Sequence, residues 1–226
     1  MSLHPILYNL FLQKNNRFLL LLISLILYFL IYPIVQETVI ALKILNSYFI
    51  LLVLSSIYAI ADSKRPLIIS LILAVLTITS RWLYTFYDVD SLIILGHGSE
   101  VIFWFYIALY ILKFIIRQKI ITLEMLYAAL AVYLILGLAW TSLYQLIEFY
   151  KPSSFLIPNA ETLQQNSSFQ MWYFSMVTLT TLGYGDITPV SMMARTVVAL
   201  EAVAGQFYLA VLIANLVGRS AAQKQE

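Results

Sequence analysis

The chain has 226 residues, of which 62% are hydrophobic and 11% charged, and its mean hydropathy is +0.90. A soluble domain runs near ~45–50% apolar and ~25% charged, so no core of this size can hold such an excess, and the chain belongs in a bilayer. The absence of cysteine excludes disulfides, thiolate metal sites and cysteine catalysis; two histidines, His4 and His97, cannot build an imidazole-rich metal centre, and a net charge of +2 is too small for a nucleic-acid partner.

At roughly 20 apolar residues per helical crossing, the length accommodates about six spans joined by short connections. In chain order the apolar runs are Phe18–Val35, Val39–Ala61, Pro66–Tyr87, Val101–Ile116, Leu123–Ile147 and Met192–Val217. Pro33 and Pro66 stand at run ends, where a missing N–H is tolerated. The first run is too long for a secretory signal and no small-residue cleavage site follows it, so it reads as a retained span. Between the last two runs, Glu148–Ser168 is polar, holds Pro152 and Pro158, and leads into the half-length apolar run Phe169–Leu182. That run cannot cross, so it enters and leaves on one side or lies in the interface. The expected fold class is therefore an all-α membrane protein with six transmembrane helices and a re-entrant helix and loop. Asn166-Ser167-Ser168 matches a glycosylation acceptor, but beside the re-entrant run it reads as a chance match.

The basic residues set the orientation. Lys14 and Arg17, Lys64 and Arg65, Lys113, Arg117 and Lys119, and Arg219 and Lys224 fall at alternate run ends, which places both termini in the cytoplasm. Glu37, Asp88, Asp90, Glu100, Glu148, Glu161 and Asp186 then face outside, with Lys151 as the clear cation among them. Toward the outer ends, Lys43 and Arg81 are expected to reach Glu37, Asp88 or Asp90, and Arg195 an outer-loop acid, while Glu124 sits at the cytoplasmic start of the fifth span. Trp82, Tyr84, Phe86 and Tyr87 read as an interfacial belt.

Within the gap stands Thr178-Leu179-Thr180-Thr181-Leu182-Gly183-Tyr184-Gly185-Asp186. This segment resembles the selectivity filter of potassium channels, of the six-segment type with one pore loop per subunit and a pore domain like that of bacterial ion channels. A dehydrated cation needs oxygens from several directions, and backbone carbonyls line up toward an axis only if successive residues alternate between ordinary and left-handed conformations. Gly183 and Gly185 permit that alternation. The resemblance implies K+ sites at Thr181, Leu182, Gly183 and Tyr184, completed by Gly185, with the Thr181 hydroxyl as the innermost ligand and the Leu182 and Tyr184 side chains turned into packing. Ser168–Thr180 reads as a short pore helix whose carboxyl end favours a cation. Trp172, Tyr173, Phe174 and Thr180 would support the filter, and Asp186 would raise the cation concentration at the mouth.

The resemblance extends over about Thr122 to Gly218. It implies an inner helix with a glycine about twenty residues past the filter, and Gly205 occupies that place, either as a gating hinge or as a site of close helix packing. Glu201, midway along the sixth run, is a buried acid that either hydrogen-bonds the back of the pore helix through Thr178 or Thr180 or lies near the cavity. The domain layout follows: 1–119 a four-helix membrane domain resembling a sensor scaffold, 120–219 the pore domain, and 220–226 a short tail with no cytoplasmic ligand-binding domain. One filter strand supplies a quarter of a ring, so the partners are three further copies in a homotetramer and the lipid of the cell (plasma or inner) membrane; no cofactor is implied beyond K+ as the permeant ion.

Three departures matter. Voltage-gated relatives repeat Arg or Lys at every third position of the fourth span, whereas Val101–Ile116 holds only Lys113, so weak or absent voltage gating is expected. Many members carry paired tryptophans where Tyr173 and Phe174 stand; the Tyr173 hydroxyl can still donate to Asp186, and Phe174 has no donor. Leu182 replaces the usual valine. Three other functions compete, of which a secondary transporter is disfavoured because no inverted repeat or broken pair of helices is visible. A non-selective cation channel shares the architecture, but the intact Gly-Tyr-Gly argues against it. Gly183-Tyr184-Gly185-Asp186 with Tyr87-Asp88 also fits an intramembrane aspartyl protease of the GxGD type, but the Pro-Ala-Leu motif of that family is missing. The expectation is a channel, not an enzyme.

Overall fold

The computed structural model describes residues 16–34, 39–62, 64–87, 89–118, 120–157 and 167–223. His4, Lys14, Glu37, Asp88, Lys119, Pro158, Glu161, Asn166 and Lys224 lie outside them, as do the side chains of Lys43, Tyr84 and Phe86. The described elements are α1 (Arg17–Ile34), α2 (Val39–Ala59), α3 (Lys64–Tyr87), α4 (Asp90–Arg117), α5 (Leu123–Tyr150), β1 (Phe155–Leu156), α6 (Ser167–Leu179), β2 (Thr188–Pro189) and α7 (Met192–Gln223). Four stretches, Lys64–Leu83, Asp90–Arg117, Leu123–Tyr150 and Met192–Ala221, are long and apolar enough to cross a membrane; Arg17–Ile31 and Ser47–Ala59 are shorter apolar helices.

Local chemistry sets several boundaries. Thr122 caps α5, its Oγ1 accepting from Met125 N at 3.2 Å, and Ser191 caps α7, its Oγ accepting from Ala194 N at 3.2 Å. Helix α4 begins at Asp90, not at Val101 as the apolar run suggested. Gly96, His97, Gly98, Ser99 and Glu100 dilute the hydropathy of its first turns, yet the polar groups there are satisfied inside the protein. Thr77 Oγ1 donates to Ser99 Oγ at 3.0 Å, and Glu100 pairs with Arg81 at 3.2 Å and His97 at 3.4 Å. Arg81 thus finds an acid at Glu100, ten residues into α4, while Glu37 and Asp88 lie outside the described residues.

The chain forms two compact units, 1–71 with 107–134 and 216–226, and 72–106 with 135–215. In the first, α1 and α2 pack through Leu21, Leu25, Leu52 and Val53, all fully buried. The Ser24 and Ser55 hydroxyls share a 2.8 Å bond, and the Tyr48 hydroxyl donates to Ser24 O at 3.2 Å. Arg17 binds both Asp62 and Glu124, the latter at 3.3 Å, with its guanidinium 4.7 Å from the Phe18 ring centroid and 5.2 Å from that of Phe114. Arg219 donates to Ile115 O and Ile116 O, each at 3.0 Å, satisfying carbonyls that end α4.

In the second unit, β1 and β2 pair antiparallel, Phe155 opposite Pro189 and Leu156 opposite Thr188. Val190 N extends the pairing to Ser154 O at 2.7 Å. The turn that precedes β1 is held by Glu148, whose carboxylate accepts from Ser153 N at 2.7 Å and Phe155 N at 3.2 Å, with Ser153 in the left-handed region at φ 64°. The segment leaving α5 is thereby tied to the segment leaving the Gly-Tyr-Gly loop.

Candidate functional site

The site is the end of α6 and the loop Thr180–Ile187. Helix α6 spans Ser167–Leu179, one residue offset at each end from the sequence reading. Its last turn closes onto the loop, with Thr181 N donating to Thr178 O at 2.9 Å and Leu182 N to Val177 O at 2.9 Å. Thr180 Oγ1 donates back to Met176 O at 2.7 Å.

From there the backbone alternates. Thr181, Gly183 and Gly185 have φ of 59°, 56° and 79°, while the intervening Leu182 and Tyr184 are not in the left-handed region. For the glycines this conformation costs nothing steric; for Thr181, β-branched, it is strained, and its Oγ1 donates to Thr180 O at 2.7 Å. The two glycines announce the alternation in the sequence, and Thr181 does not. Every residue from Thr180 to Asp186 is exposed in the single chain, Tyr184 at 66% and Leu182 at 55%.

The three consecutive aromatics of α6, Trp172, Tyr173 and Phe174, part company. The Tyr173 hydroxyl donates to Asp186 Oδ2 at 2.8 Å. That bond pushes the Tyr173 phenol up to about 12, and it holds the Asp186 carboxyl below its ordinary value. Phe174 is buried, 5.4 Å from Tyr144 and 5.6 Å from Phe155 between centroids, with Tyr144 and Phe155 themselves 5.2 Å apart. Trp172 packs on Phe169 at 5.4 Å. Arg195, expected to meet an acid, instead donates through Nε to Pro189 O at 3.2 Å.

Glu201 is fully buried and joins three helices. Its Oε2 accepts from the Tyr144 hydroxyl of α5, and its Oε1 lies 2.6 Å from Ser175 Oγ of α6. Ser175 Oγ is also 2.9 Å from Gly137 O of α5. The contact on α6 is therefore Ser175, not Thr178 or Thr180, and Tyr144 was not singled out by its sequence context. Two glycines let the helices close on α6. A Cβ on Gly137 would sit 2.5 Å from Met176 Sδ, and one on Gly205 would sit 2.5 Å from Leu179 O. Gly205 thus abuts the carboxyl end of α6, and Gln206 beside it reaches Thr181 Oγ1 at 3.5 Å.

Residues 120–220 match the model of a protein family described as "Ion channel", just under half of the chain. That segment holds α5, α6, the alternating loop and most of α7, so the part of the chain that carries the site is similar to an ion channel domain. No curated protein and no solved structure matches the chain.

Proposed function

We propose that this chain is one subunit of a potassium-selective channel that conducts K+ passively through a ring of backbone carbonyls. The observation that carries the reading is the alternation at Thr181, Gly183 and Gly185. It is the backbone form that lets successive carbonyls face one side, as replacement of an ion's hydration shell requires. The carbonyls of Thr181, Leu182, Gly183 and Tyr184 are the K+ ligands, and four copies around an axis complete the cage. Exposure of Leu182 and Tyr184 in the single chain supports this assembly, because apolar and aromatic side chains beside a pore need a neighbouring subunit to cover them. Asp186 at the mouth supplies a fixed negative charge that concentrates cations.

The test is purified protein in a planar bilayer with reversal potentials under K+ and Na+ gradients. A reversal potential that follows the K+ gradient is expected. One that follows both ions equally would make the pore a non-selective cation channel, and no current would remove the channel reading altogether.

A further inference from the structure

We propose that Glu201 carries a proton and works as a neutral bridge that positions α6 between α5 and α7. The hydrogens available to this cluster require it. Three oxygen–oxygen contacts run in series: Tyr144 Oη to Glu201 Oε2, Glu201 Oε1 to Ser175 Oγ at 2.6 Å, and Ser175 Oγ to Gly137 O at 2.9 Å. Each contact needs one hydrogen. Tyr144 and Ser175 supply one hydroxyl hydrogen each, and the Gly137 carbonyl supplies none. The third hydrogen must sit on the carboxyl.

With that proton the chain of donors has one direction. Tyr144 donates to Oε2, the carboxyl O–H on Oε1 donates to Ser175 Oγ, and Ser175 donates to Gly137 O. Without it, one contact becomes two lone pairs facing each other. An ionised Glu201 would also be a buried charge with no counter-ion, since the ion pairs among the described residues go to Asp62, Glu124 and Glu100. The Gly137 carbonyl takes a further bond from Thr141 Oγ1 at 2.7 Å, so the series ends on an acceptor already fixed within α5.

The bridge meets α6 in its middle, at Ser175, and Gly205 meets the same helix at its end, four residues further on from Glu201 along α7. Fixing α6 at these two heights fixes where Thr181 starts the loop. Glu201 acts on the loop through α6 and is a positioning residue; it is not an ion ligand. The consequence for conduction rests on the proposed channel function, and the protonation does not.

The experiment uses the full chain in detergent and in bilayers. Glu201→Gln keeps every contact, the amide N–H taking over donation to Ser175 and the amide oxygen accepting from Tyr144. Glu201→Leu keeps none. Glu201→Gln is expected to hold the thermal midpoint and the K+ current within about twofold of wild type, and Glu201→Leu to lose about tenfold in current and to melt earlier. Infrared difference spectra at neutral pH should show a protonated-carboxyl C=O band that shifts in heavy water and vanishes in Glu201→Gln. Loss of function in Glu201→Gln equal to that in Glu201→Leu, or absence of that band, overturns the proposal. A wild type that shows the band but no current in any ion leaves the bridge standing and overturns the channel reading instead.

Discussion

Tyr173 and Asp186, thirteen residues apart in sequence, meet through a 2.8 Å hydrogen bond that ties the middle of α6 to the far end of the Gly-Tyr-Gly loop. Between them lie the three left-handed residues, so the bond closes a clasp around the strained segment. Tyr173→Phe removes only the donor. It is expected to speed the decline of current during prolonged opening, measured as the relaxation time of steady-state K+ current in bilayers, without changing the reversal potential. An unchanged relaxation would mean that the clasp does not hold the loop.

The same bond sets a pH response. Because it stabilises the carboxylate, Asp186 titrates below its ordinary value, chiefly through the Tyr173 hydroxyl. For an acid shifted downward, the stabilisation is complete above its ordinary pKa and is lost only as pH falls through the lowered one. Single-channel K+ conductance at low salt should therefore stay flat from neutral pH down to the ordinary carboxylate range and fall only below it. In Tyr173→Phe the fall should move to higher pH. Conductance recorded across an acid series in both proteins checks the direction.

Gly205 admits two readings from sequence, a hinge or a packing site, and Gly205→Ala separates them. In an exposed helix interior that change gains about 1 kcal/mol of helix propensity. Here the new Cβ would stand 2.5 Å from Leu179 O and 3.3 Å from Leu179 C, which are backbone atoms of the element that launches the loop. Overpacking of that kind costs about 1–3 kcal/mol and displaces the end of α6. Gly205→Ala is expected to lower the thermal midpoint in detergent. A raised midpoint with fewer openings would favour the hinge.

Much of this arrangement is legible along the chain because its signals are local. A polar gap, a half-length apolar run and two glycines around a tyrosine place α6 and its loop to within a residue. The long-range partners are not legible. Tyr144 and Glu201 are 57 residues apart, and nothing around Tyr144 distinguishes it from the other tyrosines of this chain. Ser175 lies one turn before the threonines that seemed better placed, because the facing side of a short helix depends on how its neighbours pack. From the sequence Arg81 is expected to reach Glu37, Asp88 or Asp90, and an apolar run that starts at Val101 leaves Glu100 outside the helix. The start of α4 at Asp90 reverses that, and the ion pair follows from it.

Phe155 is the residue through which β1 reaches the core. It is buried at 4% exposure, with its ring 5.2 Å from Tyr144 and 5.6 Å from Phe174. Phe155→Ala empties that pocket and should cost about 3–5 kcal/mol. It also removes side-chain support from the strand pair that ties the segment after α5 to the segment after the loop. The expected result is a lower thermal midpoint together with faster decline of current. Phe155→Leu should recover most of both.

The cations of α4 bear on gating. Along Asp90–Arg117 the lysines and arginines are Lys113 and Arg117, both exposed and in the final turns. Arg81 on α3 is already neutralised by Glu100 at 3.2 Å. A charge does work on opening only if it moves through the field, at about 2.3 kcal/mol per elementary charge per 100 mV. With two cations at one end of the helix, little charge can travel. The conductance–voltage relation should be shallow, at less than about one elementary charge per subunit, and Lys113→Gln should leave its slope unchanged. Macroscopic currents stepped over a wide voltage range in symmetric K+ provide the measurement. A steep relation flattened by Lys113→Gln would show that α4 senses voltage after all.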